Sequence, residues 1–334
     1  MKITIKEVAE RAGVSIATVS RVLNNTGIVQ QKTRESIMLA AKELQYVPNA
    51  SARNLSRSKT DTIGLLLPDL HGAFYSEVIR GVDKTAQQSH HHLIVSSSHN
   101  KKNEIEAALR LMRGRVDGLI IMSPQIDANT LHANIPRSMP VVLLNCFVEG
   151  SSFDSINIDN FRGAYDMVRH LLQHGHRRIA IITGTPSNYD ADQRLYGYRR
   201  AMMEAGLTGD DLIEVPGDFT EEEGYAAGKK IISMQPRPTA IFASNDSMAI
   251  GAMSALREAG LKVPADIAMA GFDDIPISKF IRPALSSVHV SISELGEHAM
   301  QRLLMAIEKK NNYVKQHTAL QATVVIRESC GAHG

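Results

Sequence analysis

Tryptophan is absent from this chain of 334 residues and cysteine occurs only twice, as Cys146 and Cys330. Two cysteines at no metal spacing make neither a disulfide framework nor a thiolate metal site. No apolar run approaches the roughly 20 residues that a membrane-spanning helix needs. The opening MKITIKEVAER lacks the apolar core of a secretory leader. No Gly-rich phosphate loop, nucleophile elbow or metal motif stands at the end of an expected strand. These absences remove disulfide-stapled, membrane and exported proteins, and leave no acid–base or nucleophile set for an enzyme. A soluble, cytoplasmic protein with reduced thiols is expected, with 43% apolar and 22% charged residues in the range of globular chains. No catalytic residue, cofactor or metal is expected. His90-His91-His92 and His174-Gly175-His176 lack the support of a fixed ligand set.

Net charge is also nearly absent, at +2, but its distribution is uneven. Residues 1–60 hold ten Lys and Arg against four Glu, a surplus of six, so the remainder is mildly acidic. A basic head on an acidic body is the footprint of phosphate binding. The head opens on TIKEVAERAGVSIATVSRVLN. Thr4 and Glu7 form a capping-box pair, and Val8, Ala9 and Ala12 recur at helical spacing. Gly13 is the turn, and Ser15 caps a second helix from Ile16 to about Asn24. Val14, Val19, Val22 and Leu23 face inward, leaving Ile16, Ala17, Thr18, Ser20, Arg21 and Asn24 outside. That outer face suits a major-groove floor, where Arg21 can bond guanine through paired donors. A third helix covers 32–44, with Ile37, Ala40, Ala41 and Leu44 at core spacing. The small-residue segment Ala50–Leu55 is too short to be helical alone. Two copies packed on DNA would let Leu55 wedge into the minor groove.

From 60 onward, strand and helix patterns alternate, as in parallel α/β units. Strands are expected at Ile63–Leu67, Leu93–Ser98, Gly118–Met122, Val141–Leu144, Ile179–Thr183, Ile213–Val215, Ala240–Phe242 and Ile267–Gly271, with one more near Leu320–Ile326. A break near 160 divides two similar halves, and a late helix over about Ile292–Glu308 crosses back. The fold class is therefore an N-terminal all-α helix-turn-helix head plus an α/β core of two doubly wound parallel-sheet lobes. The expected boundaries are 1–48 for the head, 49–59 for a hinge and 60–334 for the core. Within the core, one lobe takes about 60–160 plus 291–319 and the other about 161–290 plus 320–329.

The motifs IKEVAERAGVSIATVSRVLN, YVPNASARNL, IGLLLPDL, DGLI, HGHRRIAIITG, RLYGY, AIFASNDSMAIGAM and AGFDD span nearly the whole chain. On these it resembles the lactose/galactose repressor family of bacterial transcription regulators. The resemblance implies a DNA-binding head, a hinge helix and a core like type I periplasmic binding proteins. It also implies a homodimer on a near-palindromic, double-stranded operator, with some members forming tetramers. By motif, Ile16, Ala17 and Arg21 would read bases and Leu55 would intercalate. Thr4, Ser15, Thr18, Ser20, Asn24, Asn49 and Arg53 would serve phosphates or flanking contacts.

Ligands of open parallel sheets sit at the carboxyl ends of strands, so two facing sheets place a site in the cleft between them. Asp69, His71, Phe74 and Tyr75 follow the first strand, where Gly72-Ala73-Phe74 replaces the Asn-Pro-Phe of many family members. Ser123 and Asn145 follow later strands of the same half. Arg194 offers a guanidinium clamp, Phe219 an aromatic face, Asn245 an amide and Asp273 an acceptor. Asp246 reads as the cap of its helix and Asn245 as the better ligand contact. This set suits a sugar or sugar derivative, the commonest ligand class of the family; a nucleobase or nucleoside fits the same chemistry. The expected function is a repressor whose ligand changes lobe closure and hinge pairing. Control by a phosphocarrier protein is the alternative within regulators, and a solute-binding protein the alternative outside them.

Overall fold

In the computed structural model the described residues are 3–24, 27–46, 59–124, 126–146, 148, 153–309 and 312–331. The expected hinge residues Asn49, Arg53 and Leu55 lie outside them. The chain divides into two compact units, Met1–Thr60 and Asp61–Gly334.

The first unit contains α1 (Ile5–Ala12), α2 (Ile16–Leu23) and α3 (Gln31–Glu43). Val8, Val19, Val22, Ile37, Ala40 and Ala41 are buried together, with Val14, Leu23 and Leu44 packed around them. α1 ends because Gly13 adopts φ +66°, a left-handed conformation that costs glycine little. Its Cβ-free position faces open space, so backbone conformation alone demands glycine there. Arg11 pairs with Glu43 at 2.7 Å and ties α1 to α3.

The second unit holds two six-stranded sheets. The first lines up β11 (His317–Leu320), β5 (Asp154–Ile158), β4 (Val141–Leu144), β3 (Gly118–Ile121), β1 (Thr62–Leu67) and β2 (His92–Ser97). The second lines up β12 (Thr323–Val325), β10 (Ser286–His289), β9 (Ala268–Asp273), β8 (Ala240–Ala243), β6 (Ile179–Ile182) and β7 (Ile213–Val215). Pairing is parallel except between β10 and β12. Alternation along β1 sends Ile63, Leu65 and Leu67 to one core and Leu66 to another, so the sheet is covered on both faces.

On the first sheet, α4 (Ala73–Gln88) and α11 (Ile292–Lys309) cover one face; α5 (Lys102–Met112) and α6 (Ala128–Asn134) cover the other. On the second, α7 (Asn160–Gln173) and α8 (Tyr189–Glu204) oppose α9 (Glu221–Ile232) and α10 (Asp246–Glu258). Gly197 brings α8 onto α7: a Cβ there would stand 2.5 Å from the Phe161 carbonyl oxygen and 2.9 Å from the Tyr165 nitrogen.

The chain changes sheets after β5, after β10 and between β11 and β12. The single strand expected near Leu320–Ile326 is thus two, because Gln321 and Ala322 carry the chain from one sheet edge to the other. Strands β5 and β10 were not expected: DSINI and SSVH bury Asp154, Ser155, Ser286 and Ser287, which hide a strand signal.

Candidate DNA interface and ligand cleft

On the head, Ser15 caps α2 by accepting the Thr18 N–H at 3.1 Å, and the two hydroxyls lie 2.9 Å apart. Asn24 donates to the Ser20 hydroxyl at 3.1 Å. Thr4 is tied into its own helix start, giving both its N–H and hydroxyl to Glu7 at 2.7 and 2.8 Å. These two donors hold the Glu7 carboxyl below its ordinary range. Ile16, Ala17 and Arg21 stand exposed on α2, with Ile16 47% accessible despite its apolar side chain. An apolar side chain at the start of an exposed recognition-type helix fits contact with base edges and thymine methyls.

In the core, a cleft opens at the carboxyl ends of the strands, a place where small molecules bind in facing parallel sheets. His71, Phe74, Tyr75, Arg194, Phe219, Asn245 and Asp273 line it, as do Asn188, Asp190 and Ser247. Its centre is Arg194, 3% exposed. The guanidinium donates to Asn160 Oδ1 at 2.8 Å and to the Ser244 carbonyl, and its Nη2 meets Asp273 Oδ1 at 3.1 Å. It lies 3.8 Å from the centre of the Phe272 ring and 5.9 Å from that of Phe219. Two of its five N–H groups make hydrogen bonds and Nη2 is ion-paired, which leaves donors for a ligand.

Asp190 stands across from this pair, receiving the Asn160 amide at 2.8 Å. Burial raises its carboxyl to about 7, opposed by Arg194 and reinforced by the charge of Asp273. Burial likewise lifts Asp273 to about 6 against the pull of Arg194. Only Asp273 pairs with the guanidinium, while Asp190 feels its charge at longer range; the two carboxyls offer acceptors to a ligand with N–H or O–H donors. Asp273 (φ +99°) and Phe219 (φ +77°) hold left-handed backbone without being glycine. Such strain persists only where the surroundings fix it, and it gathers at binding sites. Phe74 and Tyr75 meet edge to face at 5.6 Å on the opposite wall, and burial raises the Tyr75 hydroxyl far above its ordinary range.

Three expected site residues do not line the cleft. Asp69 folds back on its loop, accepting the Leu70 and His71 N–H groups at 2.6 and 3.0 Å. Ser123 and Asn145 are buried at the ends of β3 and β4, where the Ser123 N–H donates to the Cys146 thiol at 3.0 Å. The Ser123 hydroxyl and Asn145 Oδ1 find no protein partner. Asn245 lines the cleft as expected, but it, and not Asp246, is the helix cap. Asn245 is the cap, accepting the Met248 N–H at 2.9 Å and donating to the Phe219 carbonyl at 2.9 Å. Asp246 is inside the helix and fully buried, accepting from Ile275 N–H and the Ser278 and Ser287 hydroxyls. Asp190 was missed because it sits four residues before Arg194 in a polar helix start, a place where carboxylates are common without a ligand.

Residues 4–49 match the family described as bacterial regulatory proteins, lacI family, and residues 168–330 match the periplasmic binding protein-like domain. The chain is 39% identical over 310 residues to the HTH-type transcriptional repressor PurR of Edwardsiella ictaluri, covering 92% of this chain and 91% of that one. The lac repressor dimer bound to operator and the anti-inducer ONPF superimposes with a TM-score of 0.86 at 31% identity, covering 99% of this chain and 100% of that one. The complex of the transcriptional regulator CelR with cellobiose gives a TM-score of 0.74 at 29% identity, covering 98% and 99%.

Proposed function

The chain belongs to the lacI family of bacterial regulatory proteins, as a DNA-binding transcriptional repressor and not an enzyme, and from that premise we propose that a nucleobase of the purine type, bound in the core cleft, controls it. The observation that carries this reading is the 39% identity to a PurR repressor over 92% of the chain. The chemistry of the cleft supports it. Phe74, Tyr75 and Phe219 offer faces and edges to a flat ring. Asp190 and Asp273 accept ring N–H groups, while the remaining Arg194 donors meet a ring nitrogen or carbonyl oxygen. A nucleobase therefore takes precedence over the sugar expected from the sequence.

A carbohydrate is the second reading, favoured by the cellobiose complex of the structurally similar CelR. Hydroxyls also donate to carboxylates, and ring faces also stack. A thermal-shift comparison of guanine, hypoxanthine and adenine with ribose, glucose and cellobiose separates the two. A stabilising nucleobase beside inert sugars supports the first; a stabilising sugar beside inert nucleobases replaces it.

On DNA, the repressor acts as a cytoplasmic homodimer, each head reading half of a near-palindromic operator through Ile16, Ala17 and Arg21. Ser15, Thr18, Ser20 and Asn24 serve the flanking backbone. Arg21→Ala lowers operator discrimination in fluorescence anisotropy more than it lowers binding to unrelated DNA. Equal loss on both would make Arg21 a phosphate contact instead. Leu55 wedges the minor groove; unchanged specific affinity in Leu55→Ala would remove that role.

A further inference from the structure

We propose that the core carries a binding site for a divalent transition-metal ion, formed by Asp61, His91 and Asp117. These residues are distant in sequence, and each directly precedes a strand: Asp61 β1, His91 β2 and Asp117 β3. The sheet order places β1 between β2 and β3, with Thr62 opposite His92 and Ile63 opposite Gly118. The three side chains are therefore brought side by side at the amino ends of the strands, away from the ligand cleft. One potential ligand atom from each lies within 4.8 Å of the others.

The imidazole makes this more than a pair of surface carboxylates. His91 Nδ1 lies 2.8 Å from the Ser89 carbonyl oxygen. A carbonyl only accepts, so Nδ1 carries a proton, and in the neutral ring Nε2 is the atom that keeps a lone pair. Metal-bound histidines are oriented by such a hydrogen bond from the second ring nitrogen. The Nε2 atom is buried and has no hydrogen-bond partner. One ring nitrogen of His91 lies within 4.8 Å of an oxygen of each carboxylate, and a buried acceptor without a partner is a group that a cation satisfies. Ligands about 2.1 Å from one zinc ion stand roughly 3.4 Å apart in a tetrahedron, so small side-chain rotations close the set. One imidazole and two carboxylates suit Zn²⁺ or Mn²⁺ better than Mg²⁺, which takes oxygen ligands. The Asp61 N–H donates to Asp117 Oδ2 at 2.8 Å, which fixes one carboxylate in place. The ion clamps three neighbouring strands at the residue where the core begins.

The test is calorimetric titration of the EDTA-treated full chain with ZnCl₂, with MnCl₂ and MgCl₂ in parallel. One Zn²⁺ per chain is expected, with affinity lowered at least about tenfold in His91→Gln and in Asp61→Asn, since even a supporting hydrogen bond is worth that much. Asp61 is exposed and at φ +49°, a conformation that asparagine tolerates, so Asp61→Asn tests the site without disturbing the core. The double variant His90→Gln/His92→Gln keeps full affinity. No Zn²⁺ binding by the wild type, wild-type affinity in Asp61→Asn, or loss of binding in the double variant each overturns the site; the last assigns the ion to the bare histidine run.

Discussion

Arg194 joins the two properties that the cleft must combine, rigidity and recognition. It is buried against Phe272 and held by Asn160, the Ser244 carbonyl and Asp273. Removing one partner of a buried ion pair costs about 3–5 kcal/mol, because the other charge stays behind. Arg194→Gln is therefore expected to lower unfolding free energy by about 3 kcal/mol at pH 8 in urea titrations followed by circular dichroism, with a smaller loss at pH 5, where Asp273 and Asp190 take up protons. A loss that does not change with pH would mean that the carboxylates do not respond to Arg194. Asp190 makes a separate prediction. Its carboxyl rises to about 7 when folded, chiefly through burial, against about 3.9 in an unfolded chain. The native state then holds more protons between these values, so this group's contribution to stability falls as pH climbs from about 4 to 7. Asp190→Asn should flatten that decline; parallel profiles for variant and wild type would place the carboxyl in an ordinary range.

Among elements, legibility followed periodicity. The helix-turn-helix could be read because its apolar spacing, its capping serine and its turn glycine all agree, and α2 spans Ile16–Leu23 with Val19 and Val22 buried. Strands such as Ile63–Leu67 could be read because they are continuous apolar runs covered on both sides. Strands β5 and β10 could not, since their buried serines and Asp154 are satisfied by partners far along the chain, such as Arg302 at 3.1 Å from Asp154. The same reason hid Asp246, whose donors Ser278 and Ser287 come from other elements. Arg194, Phe219 and Asp273 were legible from motif and strand-end position; Asp190 and Asn160 join them only once α7 and α8 pack together. That packing rests on Gly197. Gly197→Ala forces a methyl group against the Phe161 carbonyl and should cost about 1–3 kcal/mol in urea titrations. An unchanged midpoint would show that α8 can shift at no cost.

At the scale of the molecule, a basic unit that ends at Thr60 precedes a larger unit containing the cleft. No helix among the described residues is long and apolar enough to cross a membrane. Under the proposed control, ligand binding in the second unit changes DNA binding by the first. A ligand can do so only by favouring one conformational state over another. The direct measurement is fluorescence anisotropy on a selected operator, with and without guanine or hypoxanthine, for wild type and Arg194→Gln. A shift in wild-type operator affinity of about 5- to 150-fold is expected, and none in Arg194→Gln, which still binds operator in the absence of ligand. Wild-type affinity that stays constant while the nucleobase demonstrably occupies the core would contradict the proposed control.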